Sequence, residues 1–310
     1  MTAQVLVVIG GGTMGVDIAA SFAAQGWATV IVNPPDARSS TIAQRFAAAL
    51  ARLGIHEPMP MEWVEHMERV QWDRVALVIE AVPENLALKR AIFAQLEQVA
   101  PAGIPLCSNS SAIPISRIGE GLASQHRMVG THYFMPAHLV PGVEVIASEH
   151  TDPEVAERVA QLMASVGKVP IRVKRDLPGF LVNRLQHAVS REAMKLIDQG
   201  ITTAEDVDAA VRFGFGFRYL AAGPCLQRDH AGLDVHHAAA QSIYPDLCND
   251  SEPSRVLSDH VARGELGMKT GKGFYDWTEE STAAERKRYD DLLVAAHALL
   301  KGEIQSRSGG

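Results

Sequence analysis

The stretch VLVVIGGGTMG (residues 5–15) decides the fold. An apolar, mostly β-branched run ends at a turn in which Gly10, Gly12 and Gly15 have the spacing G-x-G-x-x-G, and a helical pattern follows at once. In this context the first glycine permits a tight turn, the second lets a pyrophosphate approach the backbone, and the third lets helix and strand pack closely. The free N–H groups of the helix N-terminus favour the anion. The stretch therefore predicts a dinucleotide-binding strand, turn and helix; a glycine-rich turn without a ligand is the alternative.

Short β-branched runs and longer helical patterns alternate beyond this first unit. The further candidate strands are residues 28–33, 76–81, 104–109, 128–134, 143–148 and 169–175. Such alternation is typical of βαβ units around a parallel sheet. After RDLPGF the chain changes to long amphipathic patterns, of which one is expected to end at Gly200 and the next to begin at Thr203. We therefore predict an α/β fold, with a Rossmann-type, mostly parallel sheet domain over residues 1–178 and an all-helical domain over residues 179–310.

Composition and charge narrow the class of protein. The 310 residues carry a net charge of −7 and are 47% hydrophobic, and no Lys/Arg cluster is long enough to follow a phosphate backbone. Cys107, Cys225 and Cys248 are far apart in sequence, which suits neither a disulfide framework nor a metal site. The first apolar run begins at Val5, and no run reaches the roughly 18 residues of a membrane span. We expect a cytoplasmic protein that binds no metal, nucleic acid or membrane.

The end of the second candidate strand is unusual for a dinucleotide-binding fold. A sheet that binds NAD usually carries Asp or Glu there to hold the adenosine ribose, whereas this chain has Asn33 followed by PPDARSS. Asn33 can bond a hydroxyl without repelling a 2′-phosphate. Arg38, Ser39 and Ser40 could bind that phosphate and Asp36 would oppose it, or all can be ordinary solvated loop residues. NAD is the expected cofactor, and NADP stays open because Asn33 replaces the usual acidic residue.

A histidine and a glutamate stand in the apolar stretch GTHYFMPAHLVPGVEVI (residues 130–146). His132 and Glu144 are costly to bury unless each satisfies the other or serves a reaction. Oxidation of a secondary alcohol needs a base for the hydroxyl proton, a task that imidazole suits. A buried carboxylate fixes the imidazole tautomer and stabilises the imidazolium. Taken alone, His132 is more simply a satisfied core histidine; together with Glu144 it is a candidate catalytic dyad.

A series of motifs along the chain carries a family resemblance. In order they are VIGGGTMG, IEAVPENLALK, SNSSAIPIS, GTHYFMPAHLVPGVEVI, LPGFLVNRL and LGMKTGKGFYDW, and they span nearly the whole chain. Together they resemble the 3-hydroxyacyl-CoA dehydrogenase family. The resemblance implies a Rossmann-type domain, an all-helical C-terminal domain that usually forms a homodimer, and an active site between them. It also implies that His132 is the catalytic histidine and Glu144 orients it, while Ser111 and Asn183 hold the reacting oxygen and the histidine.

The resemblance further implies a set of cofactor-binding residues. Glu84 and Lys89, in PENLALK, resemble family positions near the nicotinamide half of the cofactor, although Glu84 would favour a helix start in any protein. The predicted set is Gly10, Gly12, Thr13, Met14, Gly15, Asn33, Glu84, Lys89 and Asn109.

Departures from the acyl-CoA pattern concern the substrate. Met135 stands where acyl-CoA members usually carry Asn, and HLVP resembles members that act on small free acids, such as L-gulonate 3-dehydrogenase (lambda-crystallin), carnitine dehydrogenase and a pyridine-carboxylate dehydrogenase. Those members tend to carry a cation before a Gly-Pro, here Arg218, whose guanidinium would bind a carboxylate bidentately; a helix C-terminal cap is the alternative. Residues 50–72 are poor in lysine, whereas acyl-CoA members often have a lysine-rich helix there that meets the CoA phosphates.

The sequence therefore predicts an NAD(P)-dependent oxidoreductase that interconverts a 3-hydroxy and a 3-oxo group, preferably on a small carboxylated hydroxy acid. A 3-hydroxyacyl-CoA thioester is the alternative substrate. A second alternative is a structural or sensing protein that binds the cofactor without turnover. Met135 and Asn33 favour this second alternative, and the retained catalytic positions oppose it.

Overall fold

The computed structural model describes residues 4–36, 39–57 and 60–308. Its strands are β1 (Val5–Ile9), β2 (Ala28–Val32), β3 (Met61–Val64), β4 (Val75–Glu80), β5 (Leu106–Ser108), β6 (Met128–Tyr133), β7 (Gly142–Ile146) and β8 (Val169–Val173). Its α-helices are α1 (Thr13–Ala23), α2 (Ile42–Arg52), α3 (Leu86–Val99), α4 (Ile115–Gly119), α5 (Pro153–Ser165), α6 (Val182–Asp198), α7 (Ala204–Ala209), α8 (Gly216–Tyr219), α9 (Pro224–Ala231), α10 (Leu233–Ile243), α11 (Arg255–Ala262) and α12 (Glu279–Ser308). A π-helical segment, Ala210–Phe215, joins α7 to α8.

The strands form one sheet in the order β3-β2-β1-β4-β5-β6-β7-β8. Neighbouring strands are parallel except β6 and β7, which are antiparallel because the short loop between them leaves no room for a crossover helix. The strand order reverses between β1 and β4, and ligands of such sheets bind outside the carboxyl ends of the strands at this point. The mostly parallel sheet, followed by helices, confirms the predicted fold class.

Both faces of the sheet are covered by apolar side chains. Leu6 and Val8 of β1 pack on one side against Phe22 of α1. Val7, between them in sequence, faces the other side with Phe93 of α3. Alternate residues of β1 are thus buried on opposite faces, which is why the strand is a continuous apolar run rather than an alternating one.

Strand β3 was not predicted. It lies at the edge of the sheet, pairs in parallel with β2, and presents Glu62 and Trp63 to solvent. The Trp63 indole donates a hydrogen bond of 2.9 Å to the carbonyl oxygen of Asn33, at the end of β2. A short edge strand with a charged residue lacks the β-branched run on which the other strand predictions rested.

The chain divides into two compact units. The first contains the residues up to Asn183 together with those from Arg288 onward, and the second contains Arg184–Lys287. This division differs from the predicted 1–178 and 179–310, chiefly because the C-terminal part of α12 packs with the first unit. There Asp290 pairs with Arg52 at 3.1 Å, and Ile304 is buried.

Two kinds of feature are absent from the described residues. None of their helices has the length and apolar character needed to cross a membrane. Nor do these residues contain a group of three or more His, Cys, Asp or Glu side chains arranged to hold a metal ion.

Candidate active site

The glycine turn after β1 has the geometry that a dinucleotide requires. Gly10 has a φ of +113°, and a Cβ there would lie 2.8 Å from the carbonyl oxygen of Ala81. A Cβ on Gly15 would lie 1.9 Å from the carbonyl oxygen of Gly10, so only glycine lets α1 pack this close to the turn. A Cβ on Gly12 would meet nothing within 4 Å. The backbone at Gly12 therefore faces open space, where a pyrophosphate can approach it.

The first turn of α1 adds free donors to this face. Gly12 is the N-cap of the helix, and no side chain caps the N–H groups that follow. Thr13 and Met14, in that first turn, line a cavity of about 530 Å³ together with all three glycines from Gly10 to Gly12. This volume is within the roughly 300–1,000 Å³ of small-molecule sites. Uncapped amides and the helix dipole favour an anionic group here, so the residues present fit a dinucleotide.

Asn33 and Arg45 hold the turn in place. The Asn33 Oδ1 accepts a hydrogen bond of 2.9 Å from the Gly11 N–H, and the Arg45 guanidinium donates one of 2.6 Å to the Gly11 carbonyl oxygen. The Asn33 Nδ2 donates to the Pro34 carbonyl oxygen and to the Ser39 hydroxyl. Of the other loop residues named from the sequence, Ser40 is exposed and Arg38 lies outside the described residues.

A buried ion pair lies beside the carboxyl end of β4. Lys89 of α3 is 1% exposed and its Nζ lies 2.8 Å from a carboxylate oxygen of Glu80, which is 0% exposed. Glu80 also accepts hydrogen bonds from the Ser108 hydroxyl at 2.6 Å and from the Val82 N–H at 2.7 Å. Glu80 was not predicted from the sequence, although it is a glutamate at the end of the apolar strand VALVIE, as Glu144 is a glutamate within an apolar stretch.

The carboxylate of Glu84 organises the loop after β5. It lies 3.5 Å from the Lys89 Nζ and accepts hydrogen bonds from the Ser110 hydroxyl and from the N–H groups of Ala112 and Ile113. Partial burial raises its pKa, but the hydrogen bonds and the Lys89 charge outweigh burial and hold the pKa below its ordinary value. Neither Glu84 nor Lys89 lines the cavity at the glycine turn. The contacts of Glu84 fix the loop that carries Ser111, whereas Lys89 contacts Glu80, Glu84 and the Val82 carbonyl oxygen.

His132 and Glu144 form a buried pair. They are direct partners in the antiparallel register of β6 and β7, and the His132 Nδ1 lies 2.6 Å from the Glu144 Oε2. The imidazole is 4% exposed and the carboxylate 0%, and the rings of Phe134 and Phe180 lie 4.8 Å and 5.7 Å from the imidazole, centroid to centroid. Because the carboxylate accepts the Nδ1 proton, Nε2 is the imidazole nitrogen able to take up another.

The second carboxylate oxygen of Glu144 is held by the start of α6. The N–H groups of Leu181 and Val182 each donate a hydrogen bond of 2.8 Å to its Oε1. Burial raises the pKa of Glu144, but the bonds from His132 and these two amides outweigh burial and keep the pKa below its ordinary value. Glu144 is therefore a fixed anion that orients His132.

The structure brings three further predicted residues close to this pair. The Asn183 side chain donates a hydrogen bond of 3.1 Å to the Ser111 carbonyl oxygen, and Ser111 itself is exposed. Asn109 accepts a hydrogen bond of 2.9 Å from the N–H of Tyr133, the residue after His132. All of these residues belong to the first unit, so one compact body supports the glycine turn, the dyad and the polar side chains around it.

Two other residues singled out from the sequence lie at the surface of their units. Arg218, in α8 of the second unit, is exposed and has no side-chain hydrogen bond or ion pair to another described residue. Met135, in the first unit, is 65% exposed. Cys107, by contrast, is buried in β5, and burial raises the pKa of its thiol well above the ordinary value. This cysteine packs in the core.

Comparisons with known proteins agree with the motifs. The NAD-binding domain of 3-hydroxyacyl-CoA dehydrogenase matches residues 5–177, and the C-terminal domain of the same family matches residues 179–277. The 5-formyl-3-hydroxy-2-methylpyridine 4-carboxylate 5-dehydrogenase of Mesorhizobium japonicum is 32% identical, over 96% of this chain and 98% of its own. The human mitochondrial hydroxyacyl-coenzyme A dehydrogenase is 32% identical, over 88% of this chain and 90% of its own.

A solved structure is similar over almost the full length. The crystal structure of a 5-formyl-3-hydroxy-2-methylpyridine 4-carboxylic acid 5-dehydrogenase, described as an NAD⁺-dependent dismutase, has a TM-score of 0.92 and 29% identity. The alignment covers 97% of this chain and 99% of the other. With both family domains matched in order, the chain belongs to the 3-hydroxyacyl-CoA dehydrogenase family and is an NAD-dependent dehydrogenase.

Proposed function

We propose that the protein interconverts a hydroxyl and an oxo group on a small carboxylated acid, using NAD. The buried pair of His132 and Glu144 carries the proposal, since a paired imidazole is the group that alcohol oxidation requires. Its place in the same compact unit as the glycine turn adds support.

The chemistry divides between the cofactor and the chain. Bound nicotinamide accepts or supplies the hydride. In oxidation the His132 Nε2 removes the hydroxyl proton, and in reduction the imidazolium returns it to the developing alkoxide. Glu144 stabilises that imidazolium without accepting the proton, because its hydrogen bonds hold its pKa low. Ser111 and Asn183 position the oxygen of the substrate.

A small free acid is favoured over a CoA thioester by several observations. The relative that matches over 98% of its length acts, by its name, on a pyridine carboxylate. Residues 50–72 contain no lysine, whereas acyl-CoA members often carry a lysine-rich helix there that meets the CoA phosphates. Arg218 is proposed as the group that binds the substrate carboxylate. The similarity to the human hydroxyacyl-coenzyme A dehydrogenase keeps the thioester as the second candidate.

The second unit is proposed to form a homodimer. In its helices α7–α11 no residue is buried within the chain. Phe213 and Phe217, around the π-helical segment and α8, are 74% and 66% exposed, and Leu233 is 64% exposed. Large apolar side chains exposed on neighbouring helices favour association. A second copy of this chain is the partner that would cover them.

A reducing compartment is proposed for the protein. Cys107, Cys225 and Cys248 are free thiols in the structure. Unpaired cysteines are typical of proteins that work in the cytoplasm, where thiols stay reduced. We therefore propose a cytoplasmic location.

Initial rates on a substrate panel test the proposed function. The panel contains acetoacetyl-CoA, free 3-oxo acids and a formylpyridine carboxylate, each with NADH, and with NAD⁺ for the aldehyde. His132→Ala is the blank, and His150→Ala, which replaces an exposed histidine of the same unit, is the matched control. We expect turnover of free acids that His132→Ala abolishes and His150→Ala retains. Turnover confined to acetoacetyl-CoA would establish the thioester instead, and tight cofactor binding without turnover on any substrate would favour the non-enzymatic alternative.

A further inference from the structure

The cavity at the glycine turn extends to the ends of β2 and β3. Besides the glycines it is lined by Asn33, Asp36 and Glu65. In a sheet of this kind the end of β2 faces the adenosine ribose of the dinucleotide. The residues there decide whether a ribose diol or a 2′-phosphate is accepted.

Asn33 is already used by the protein itself. Its Oδ1 accepts the Gly11 N–H at 2.9 Å, and its Nδ2 donates to the Pro34 carbonyl oxygen at 2.7 Å and to the Ser39 hydroxyl at 3.1 Å. An NH₂ group has two protons to donate, and both have acceptors within the loop. Asn33 therefore holds the glycine turn and has no donor left for a ribose hydroxyl without breaking these contacts.

Asp36 supplies the carboxylate that the end of β2 lacks. Its Oδ1 accepts the Ser39 N–H at 2.8 Å and the Ser39 hydroxyl at 2.9 Å. Ser39 is buried, so these bonds fix the direction of the carboxylate. Asp36 thus stands three residues beyond the usual acidic position, exposed at the wall of the cavity and bonded to Ser39.

Among the described residues of this wall, the charged side chains are carboxylates, which disfavour a 2′-phosphate. Glu65 adds a second carboxylate, and no Lys or Arg occurs among the described residues that line the cavity. The nearby Arg45 is bound to the Gly11 carbonyl oxygen at 2.6 Å and to the Thr41 hydroxyl at 3.2 Å. A phosphate placed here would lie near two negative groups, whereas a ribose diol can donate hydrogen bonds to a carboxylate.

We propose that Asp36, and not Asn33, binds the adenosine ribose diol and selects NAD against NADP, while Asn33 serves to hold the glycine turn. This inference rests on the proposed use of a nicotinamide dinucleotide. It assigns cofactor selection to a carboxylate displaced along the loop, and it gives the unusual Asn33 a separate positioning role.

Direct binding tests the inference without turnover. Dissociation constants for NADH and NADPH are measured by fluorescence titration on the full chain and on Asp36→Asn, Asn33→Ala and Glu62→Gln. Asp36→Asn keeps a side-chain oxygen for Ser39 but removes the charge. Glu62→Gln, at an exposed position on β3 outside the cavity lining, is the matched control for the loss of one negative charge. Thermal unfolding confirms that each variant is folded.

We expect wild-type protein to bind NADH at least tenfold more tightly than NADPH. A hydrogen bond to a charged group changes affinity by about 10- to 100-fold, so Asp36→Asn should reduce the preference for NADH by at least about tenfold. Asn33→Ala should weaken both dinucleotides alike, and Glu62→Gln should change neither. A preference that Asp36→Asn leaves within twofold, or that Asn33→Ala removes, would overturn the inference while leaving the proposed function intact. If wild-type protein binds neither dinucleotide, both fail.

Discussion

Replacing Lys89 by methionine should destabilise the first unit strongly, because it removes one partner of a fully buried ion pair. Glu80 is 0% exposed and cannot move its charge to water. Breaking such a pair costs about 3–5 kcal/mol. Since the Ser108 hydroxyl and the Val82 N–H would still donate to the Glu80 carboxylate, we expect Lys89→Met to lie near the lower limit, at about 3 kcal/mol.

Equilibrium urea unfolding followed by circular dichroism measures this difference. Lys89→Met combined with Glu80→Gln should recover part of the loss, leaving a cost of about 1–2 kcal/mol, because glutamine carries no charge. Its carbonyl oxygen can still accept the Val82 N–H, and its NH₂ group can donate to the Ser108 hydroxyl. Arg172→Met is the control, since Arg172 and Glu157 form an exposed pair in the same unit that contributes less than about 1 kcal/mol. A Lys89→Met cost no larger than that of Arg172→Met would refute the reasoning, as would a double variant less stable than Lys89→Met.

Three further predictions concern pH, thiol chemistry and association. Burial lowers the pKa of Lys168 to about 7. Between about pH 7 and 10 the unfolded chain therefore binds more protons than the folded one, so the free energy of unfolding should rise with pH over this range. Lys168→Met should flatten this rise, measured as the urea midpoint at each pH. A thiol reagent should modify the exposed Cys225 in the native protein, and the buried Cys107 only after the protein unfolds. Mass spectrometry of samples taken at successive times measures the labelling of each cysteine. Labelling of Cys107 as early as Cys225 would contradict its burial. Replacing both Phe213 and Phe217 by serine should convert a dimer into a monomer in sedimentation equilibrium, and a wild-type monomer would contradict the proposed interface.

The sequence predicts a structural feature best where the position tolerates very few residue types. Gly10 and Gly15 were predicted because their positions exclude any Cβ. His132 and Glu144 were recognised because each is a polar residue in an apolar stretch and is costly to bury without a partner. The antiparallel register that makes them direct partners was not predicted. Glu80 is likewise a glutamate at the end of an apolar strand. Its partner Lys89 lies on helix α3, and the pattern of charges along that helix did not predict that Lys89 is buried.

Other features depend on tertiary contacts that spacing does not encode. The Asn33 side chain turns towards Gly11 because the loop brings Ser39 back beside it, and nothing in PPDARSS indicates that path. Strand β3 forms because the sheet edge beside β2 is available, although its own residues favour a strand only weakly. The C-terminal part of α12 belongs to the first unit through contacts such as Arg52 with Asp290, which no local pattern predicts.

The most direct test of the account is the turnover number of His132→Ala relative to wild type on the best substrate of the panel, with NADH affinity measured on the same samples. General acid–base catalysis contributes about 10²–10⁴ to the rate. We predict a loss in that range with NADH affinity unchanged, because His132 acts on the proton of the substrate and does not hold the dinucleotide. Turnover within a few-fold of wild type would contradict the assignment of His132 as the catalytic acid and base.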